Sequence, residues 1–233
     1  MSPNVPGDGP GHQGIRPGQP WGVESSAEAD IEVAGGDGAL AGVLARGLVD
    51  PLVRFVANPD SDLARAIGLV AGAPPGGVAL PVDTFDVETG GNRLVVVNSV
   101  VVGVAPDRLR AWHRPAGLTV EVDGAPLEAG AATTLVIMNG QYLRGLDLSP
   151  RGHPGDGVAE AQLYGLPPGA RRAMRARLAT GAHLPHPAIT VRRAHRVVVR
   201  AARPVVLEID GASAGRITDL TVDLRPAAYR LLV

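Results

Sequence analysis

The chain has no cysteine and no lysine. Without cysteine there is no disulfide, no thiolate metal site and no Cys nucleophile. All 22 basic residues are arginine, which excludes a Schiff-base lysine and a P-loop lysine. The formal net charge of −1 over 233 residues gives no electrostatic case for nucleic acid or an anionic membrane surface as a partner. The longest apolar stretch, 94–104, is too short to span a bilayer and contains Asn98. No charged-then-apolar leader opens the chain. The expectation is a cytoplasmic protein that neither spans a membrane nor binds nucleic acid.

What is present divides the chain by composition. Residues 1–29 are rich in Pro, Gly and polar residues and cannot repay the entropy of ordering, so a disordered tail is expected there. Ile31–Ala34 reads as a short strand, followed by Gly35-Gly36-Asp37-Gly38 and a helical pattern over 39–48. A second helix is expected over 61–68, capped by Asp60 or Ser61 and ended by Gly68. Residues 71–81 form a Gly/Pro-rich connector.

Beyond it, short Val/Ile/Leu-rich runs separated by Gly, Pro or Asp turns predict strands. They fall at 94–104, 118–122, 133–138, 158–164, 189–191, 196–200, 205–209, 217–223 and 229–233. One helix interrupts them over 168–180, with Pro at its start and Gly181 after its end. The succession predicts a mostly β, α+β protein built around a sandwich or curled antiparallel domain.

Several motifs carry candidate chemistry. Glycines in Gly35-Gly36-Asp37-Gly38 let a backbone approach phosphate at a helix start, although a tight strand-to-helix turn explains them equally. Asn139-Gly140, Asp156-Gly157 and Asp210-Gly211 are turn formers in their own right. His183 and His186 flank a proline that stops one helix face from aiming both rings at a metal. His153 has an unperturbed pKa near neutrality and sits in a Gly-rich turn. Gly211-Ala212-Ser213-Ala214-Gly215 fits the serine-hydrolase elbow pattern. A strand rather than a helix follows it, so a hairpin turn is the better reading.

Taken in order, the segments resemble the diacylglycerol kinase catalytic family, which includes bacterial lipid kinases and sphingosine kinases. The resemblance runs from about residue 29 to 233. It rests on GGDG at 35–38, NPDSDLARAIGL at 58–69, MNGQYLRGLDLSPRGHPGDGVAEAQLYGL at 138–166, HLPHPAITVRRAHRVVVR at 183–200, EIDGASAG at 208–215 and LRPAAYRLLV at 224–233. It implies a small α/β nucleotide-binding domain ahead of a β-sandwich, with ATP and lipid meeting between them. The corresponding divisions here are 30–78 with 225–233, and 79–224. It further implies that Gly35, Gly36, Asp37 and Gly38 lie at the nucleotide phosphates and Asp156 at a Mg²⁺ loop. Asp210 would be the base that takes the lipid hydroxyl's proton.

Four departures from that family oppose kinase chemistry. Only the Pro/Gly tail precedes Ile31 where the family has two β-α units, so the nucleotide domain is expected to be truncated. Ala39 stands where the family has Thr. The Gly-Thr loop becomes Asn58-Pro59-Asp60-Ser61-Asp62, losing an N–H and gaining a charge of the wrong sign. Ala212 replaces the acidic residue after Asp-Gly. Phosphoryl transfer depends on positioning and charge neutralisation, and losing one donor can cost on the order of a hundredfold in rate.

The expectation is therefore a repurposed, non-phosphorylating protein without a cofactor that binds an apolar or lipid-like small molecule. A specialised-metabolism cyclase acting on a polyketide-like substrate is one form of it. Its expected catalytic residues are Asp210, His153 and Tyr142, with Asn98 and Asn139 as ligand contacts. The alternatives are an ATP- and Mg²⁺-dependent lipid kinase, or a non-catalytic partner protein that covers its cleft as a homodimer.

Overall fold

The computed structural model describes residues 21–69 and 77–233. Residues 1–20 of the expected tail and 70–76 of the expected connector lie outside the described residues. A first layer starts with β1 (Val23–Glu24), β2 (Ile31–Gly35), α1 (Asp37–Leu44), β3 (Leu52–Ala57) and α2 (Asp62–Ala66). Strand β2 runs parallel to β3. The apolar faces of α1 and α2 pack with this sheet around Leu40, Phe55, Leu63, Val82 and Tyr229.

The sandwich follows: β4 (Val78–Thr89), β5 (Asn92–Val96), β6 (Ser99–Gly103), β7 (Leu118–Val122), β8 (Ala125–Leu127) and β9 (Thr134–Met138). A small hairpin, β10 (Tyr142–Leu143) and β11 (Leu146–Asp147), precedes β12 (Ala159–Tyr164). Helix α3 (Arg171–Ala176) leads to β13 (Ile189–Ala194), β14 (Arg196–Ile209) and β15 (Ala212–Leu232). The backbone order along the main sheet is β1, β4, β15, β14, β6, β9, β12, β13. Phe85, Val100, Ile137, Leu163, Val197 and Leu207 form part of its core. A separate apolar cluster, including Leu109, Tyr164 and Met174, lies under α3.

Strand β15 is the spine of the molecule. Its first half pairs with β14, its second half with β4, and Arg230–Leu232 pair in parallel with β3. Between Arg225 and Tyr229 the register shifts, and Ala227 takes a φ of 45°. The buried Asp83 carboxylate anchors this bulge, accepting the N–H of Ala227 and that of Gly157, each at 2.8 Å. A bulge held by a buried acceptor bends a strand at a fixed point, and here it turns β15 from one layer into the other.

Several elements differ from the sequence expectation. Residues 21–29 contain β1, paired with Val78 and Ala79, and Trp21 donates from its indole to Pro81 O at 2.9 Å. Strand β3 was hidden because both its faces are largely buried, which removes the alternation a half-exposed strand shows. Residues 78–81 of the expected connector are the start of β4. The single strand expected at 94–104 is two, broken at Val97-Asn98. The runs at 196–200 and 205–209 are one bulged strand, as are those at 217–223 and 229–233.

Candidate functional site

Four turns from separate elements meet around a cleft of about 470 Å³. They are Gly36–Gly38 at the start of α1, 58–62 after β3, Arg144-Gly145 between β10 and β11, and Asp210–Ala212 between β14 and β15. Four carboxylates, Asp37, Asp60, Asp62 and Asp210, line it, with Arg65 and Arg144 as its cations.

Asp37 lies in the first turn of α1 and is 6% exposed. Its carboxylate accepts the Ser61 hydroxyl at 2.5 Å and the Leu63 N–H at 3.2 Å. Ser61 in turn accepts the Ala64 N–H at 3.0 Å, satisfying a free donor at the start of α2. The Asp37 carboxylate thus clasps two helix starts together. Burial raises its pKa despite the Ser61 and Leu63 bonds.

Asp62 reaches the opposite wall, where it accepts the backbone N–H of Gly145 at 2.7 Å and that of Arg144. Arg144 (φ 51°) and Gly145 (φ 70°) form the two-residue turn of this hairpin, in the left-handed geometry such turns require. The Arg144 guanidinium donates to Asp107 and to Glu208, at 2.6 Å each. Arg108 meets the other Glu208 oxygen at 3.1 Å. Burial alone would lower the Arg144 pKa, but Asp107 and Glu208 hold it above the ordinary range. Arg65 has no carboxylate partner among the described residues; its guanidinium lies 5.9 Å from the Tyr142 ring centroid.

Asp210 and Gly211 (φ 47° and 77°) turn β14 into β15. The Asp210 side chain accepts the N–H groups of Val97 (3.1 Å), Asn98 (2.9 Å) and Ser99 (2.9 Å). Those three donors are why β5 and β6 part at this point. Burial pushes the carboxyl up, the N–H groups pull the other way, and the Asp37 charge adds to the rise, leaving it at about 7.

The sequence candidates separate into two places. Gly36, Asp37, Gly38 and Asp210 line the cleft. Gly35, at φ 135°, makes the strand-to-helix turn behind it. Asn98 and Asn139 are fully buried pins: Asn98 donates to Tyr142 O at 2.9 Å, and Asn139 to Val97 O at 2.9 Å and Asp83 O at 3.0 Å. Tyr142 stands beside them in β10, against Arg65.

His153 and Asp156 lie in the other place. The His153 ring sits edge-on to Trp21 at 4.4 Å, and burial lowers its pKa. Burial raises the pKa of Asp156, whose carboxylate accepts the Val158 N–H at 3.1 Å and pairs with Arg193 at 3.2 Å. The cation this carboxylate meets is the Arg193 guanidinium. Among the described residues no three His, Asp or Glu side chains cluster as metal ligands. That donor set does not fit a divalent cation. His183 and His186 are also apart in role: His183 stacks on Tyr164 at 6.4 Å, and His186 Nδ1 accepts the Ala188 N–H at 3.0 Å.

Sequence reasoning missed Asp62, Arg144, Glu208 and Asp83. The signal for Arg144 was an Arg-Gly pair between Leu143 and Leu146, a hairpin turn with a charged tip.

No curated protein sequence matches the chain. A solved structure of a diacylglycerol kinase from Bacillus anthracis str. Sterne superposes with a TM-score of 0.68 at 17% identity, covering 87% of this chain and 76% of that one. A candidate diacylglycerol kinase from the same strain gives 0.68 at 15% identity, with 87% and 78% covered. Yeast NADH kinase complexed with NADH gives 0.50 at 12% identity, with 88% and 62% covered. At such identities the superpositions speak for the fold alone. The model of the YegS C-terminal NAD kinase beta sandwich-like domain matches residues 104–233. That is more than half of the chain, which therefore belongs to the family of the YegS C-terminal NAD kinase beta sandwich-like domain.

Proposed function

We propose that this family member binds a small ligand in the cleft without transferring phosphate to it. One observation carries the reading: the wall where a nucleotide's phosphates would be expected presents Asp37, Asp60, Asp62 and Asp210, while Arg144 is neutralised by Asp107 and Glu208. Like charges disfavour a polyphosphate by several kcal/mol unless a cation intervenes, and catalysis of phosphoryl transfer is mainly positioning plus neutralisation. Pro59 has also removed one backbone donor from this wall. The ligand this lining favours is neutral or cationic and rich in hydroxyl or amino groups, such as the headgroup end of a lipid.

A second reading, an ATP-dependent lipid kinase, is favoured by Asp210 itself. A carboxyl at about 7 is poised to take a hydroxyl proton near neutral pH, as that activity requires.

Thermal shift and phosphoryl transfer separate the two. Expected for the first reading is stabilisation by hydroxylated or amino lipid headgroups, silence to Mg-ATP and no labelled product from γ-labelled ATP with diacylglycerol. Labelled lipid formed by the purified protein, and lost in Asp210→Asn, would establish the kinase instead.

A further inference from the structure

The chain's balanced charge conceals a strongly uneven distribution. No Asp or Glu occurs between Glu160 and Glu208. Within that stretch α3 and its flanks carry Arg172, Arg175 and Arg177, and they pack beside the 105–114 segment, which brings Arg110 and Arg114. None of these five guanidinium groups meets a carboxylate within 4 Å among the described residues. Their mutual proximity is felt by their neighbours. Burial, then the Arg171 and Arg110 charges, lowers the His113 pKa; burial, then Arg110 and Arg172, lowers that of Arg175.

At the centre of this cationic surface stands Trp112, 76% exposed. An indole left in water is unfavourable by its apolar area, so its presentation needs a reason. The turn that carries it is deliberately braced. Arg171, only 3% exposed, is consumed in holding it, donating to Arg110 O at 2.8 Å, His113 O at 2.7 Å, Ala111 O at 3.3 Å and Leu166 O at 3.1 Å. Arg175 donates to Leu109 O, and the Arg110 N–H donates to His113 Nδ1 at 2.9 Å. Leu109, at the base of the turn, is fully buried in the cluster under α3. A buried arginine fixing a loop by its carbonyls makes a rigid pedestal, not a frayed tip.

We propose that Trp112 and the arginines around it form a docking surface for an anionic lipid bilayer. An indole prefers the headgroup level, where its ring is shielded and its N–H stays wet. Arginines near an anionic surface add roughly 1 kcal/mol each. The alternative macromolecule, single-stranded nucleic acid, is favoured by a groove with successive aromatic platforms; this surface is a projecting turn and helix with one indole flanked by exposed Ala111, Ala173 and Ala176. The same segment reaches the cleft rim, where Asp107 pairs with Arg144, so a docked protein would hold its cleft near the membrane. The docking claim is independent of what the cleft does: it needs neither turnover nor a cleft ligand.

The test is co-sedimentation of the full chain with vesicles of phosphatidylcholine alone and of phosphatidylcholine with phosphatidylglycerol, at low and high salt. Expected are binding to the anionic vesicles only, weakened by salt, and a blue shift of tryptophan emission. Trp112→Ser should abolish the blue shift. Arg114→Gln, Arg172→Gln and Arg177→Gln combined, exposed residues whose guanidinium groups have no hydrogen-bonded partner among the described residues, should lower affinity roughly a hundredfold, with the melting temperature unchanged. Asp210→Asn should bind vesicles like the parent, which separates this claim from the cleft reading. Equal binding to neutral vesicles, unchanged binding by the folded triple variant or by Trp112→Ser, or an oligonucleotide that displaces vesicles at equal salt would each overturn it.

Discussion

The guanidinium of Arg144 is locked to the carboxylate of Glu208 at 2.6 Å, at a cleft that would otherwise present a second unpaired cation beside Arg65. Glu208 is 5% exposed, so the pair is part of the structure before it is part of any chemistry. Arg144→Ala should destabilise the protein by about 3 kcal/mol, because it leaves a buried carboxylate with Arg108 alone. Arg225→Ala, which breaks a surface pair with Asp86, should cost no more than about 1 kcal/mol. Urea unfolding of the two variants measures the contrast.

The Asp210 carboxyl makes stability fall with rising pH in a defined window. In the folded protein it titrates at about 7, against 3.8 when exposed. Between those values the native state keeps a proton that the unfolded chain has lost, so this group's contribution weakens as pH rises from 3.8 towards 7. The shift sets an upper bound of about 4 kcal/mol. Asp210→Asn should be less stable at acid pH, where its amide faces the Val97 N–H, yet lose less stability as pH rises. Urea midpoints across the window, compared between parent and variant, check it.

Asp60 is an exposed carboxylate in the cleft lining. Asp60→Asn should raise affinity for inorganic phosphate or ATP in the cleft roughly fivefold, from the removal of one like charge at close range, without changing the melting temperature of the unliganded protein. Titration calorimetry reads it. An unaltered anion affinity would show that the acidic wall does not set ligand charge.

Gly155→Ala should loosen the start of the described chain. A Cβ there would lie 2.4 Å from Trp21 Nε1 and 2.6 Å from Pro81 O, so the indole must leave its place against His153. A loss of about 1–3 kcal/mol is expected, with a red-shifted tryptophan emission as its signature.

Much of the fold could be read from the residues because its signals are local. Ile31–Gly35, the Ser61 cap of α2 and the left-handed Gly181 (φ 66°) that ends the 3-10 turn 178–180 beyond α3 each follow from a short-range rule. The succession of Val-rich strands gave the mostly β class in the same way. The cleft was only half legible. Asp37 and Asp210 stood out beside glycines, but Asp62 looked like an ordinary first-turn residue, and its bonds to Arg144 and Gly145 span 82 and 83 positions. Asn98 and Asn139 enter as ligand contacts only through the family resemblance. Their amides satisfy backbone carbonyls where strands part. The basic surface around Trp112 escaped because a whole-chain sum hides two opposing patches.

One strand of 21 residues, β15, is bonded along its length to β14, β4 and β3. No flexible seam therefore divides the two layers, and a hinge that gapes the cleft like a jaw would have to tear this shared ladder. The small β10–β11 hairpin and the α2 start at the end of the 58–62 loop are instead joined through Asp62, which accepts the Arg144 and Gly145 N–H groups. Amide exchange should show β15 opening only with global unfolding, while those two segments exchange early and together.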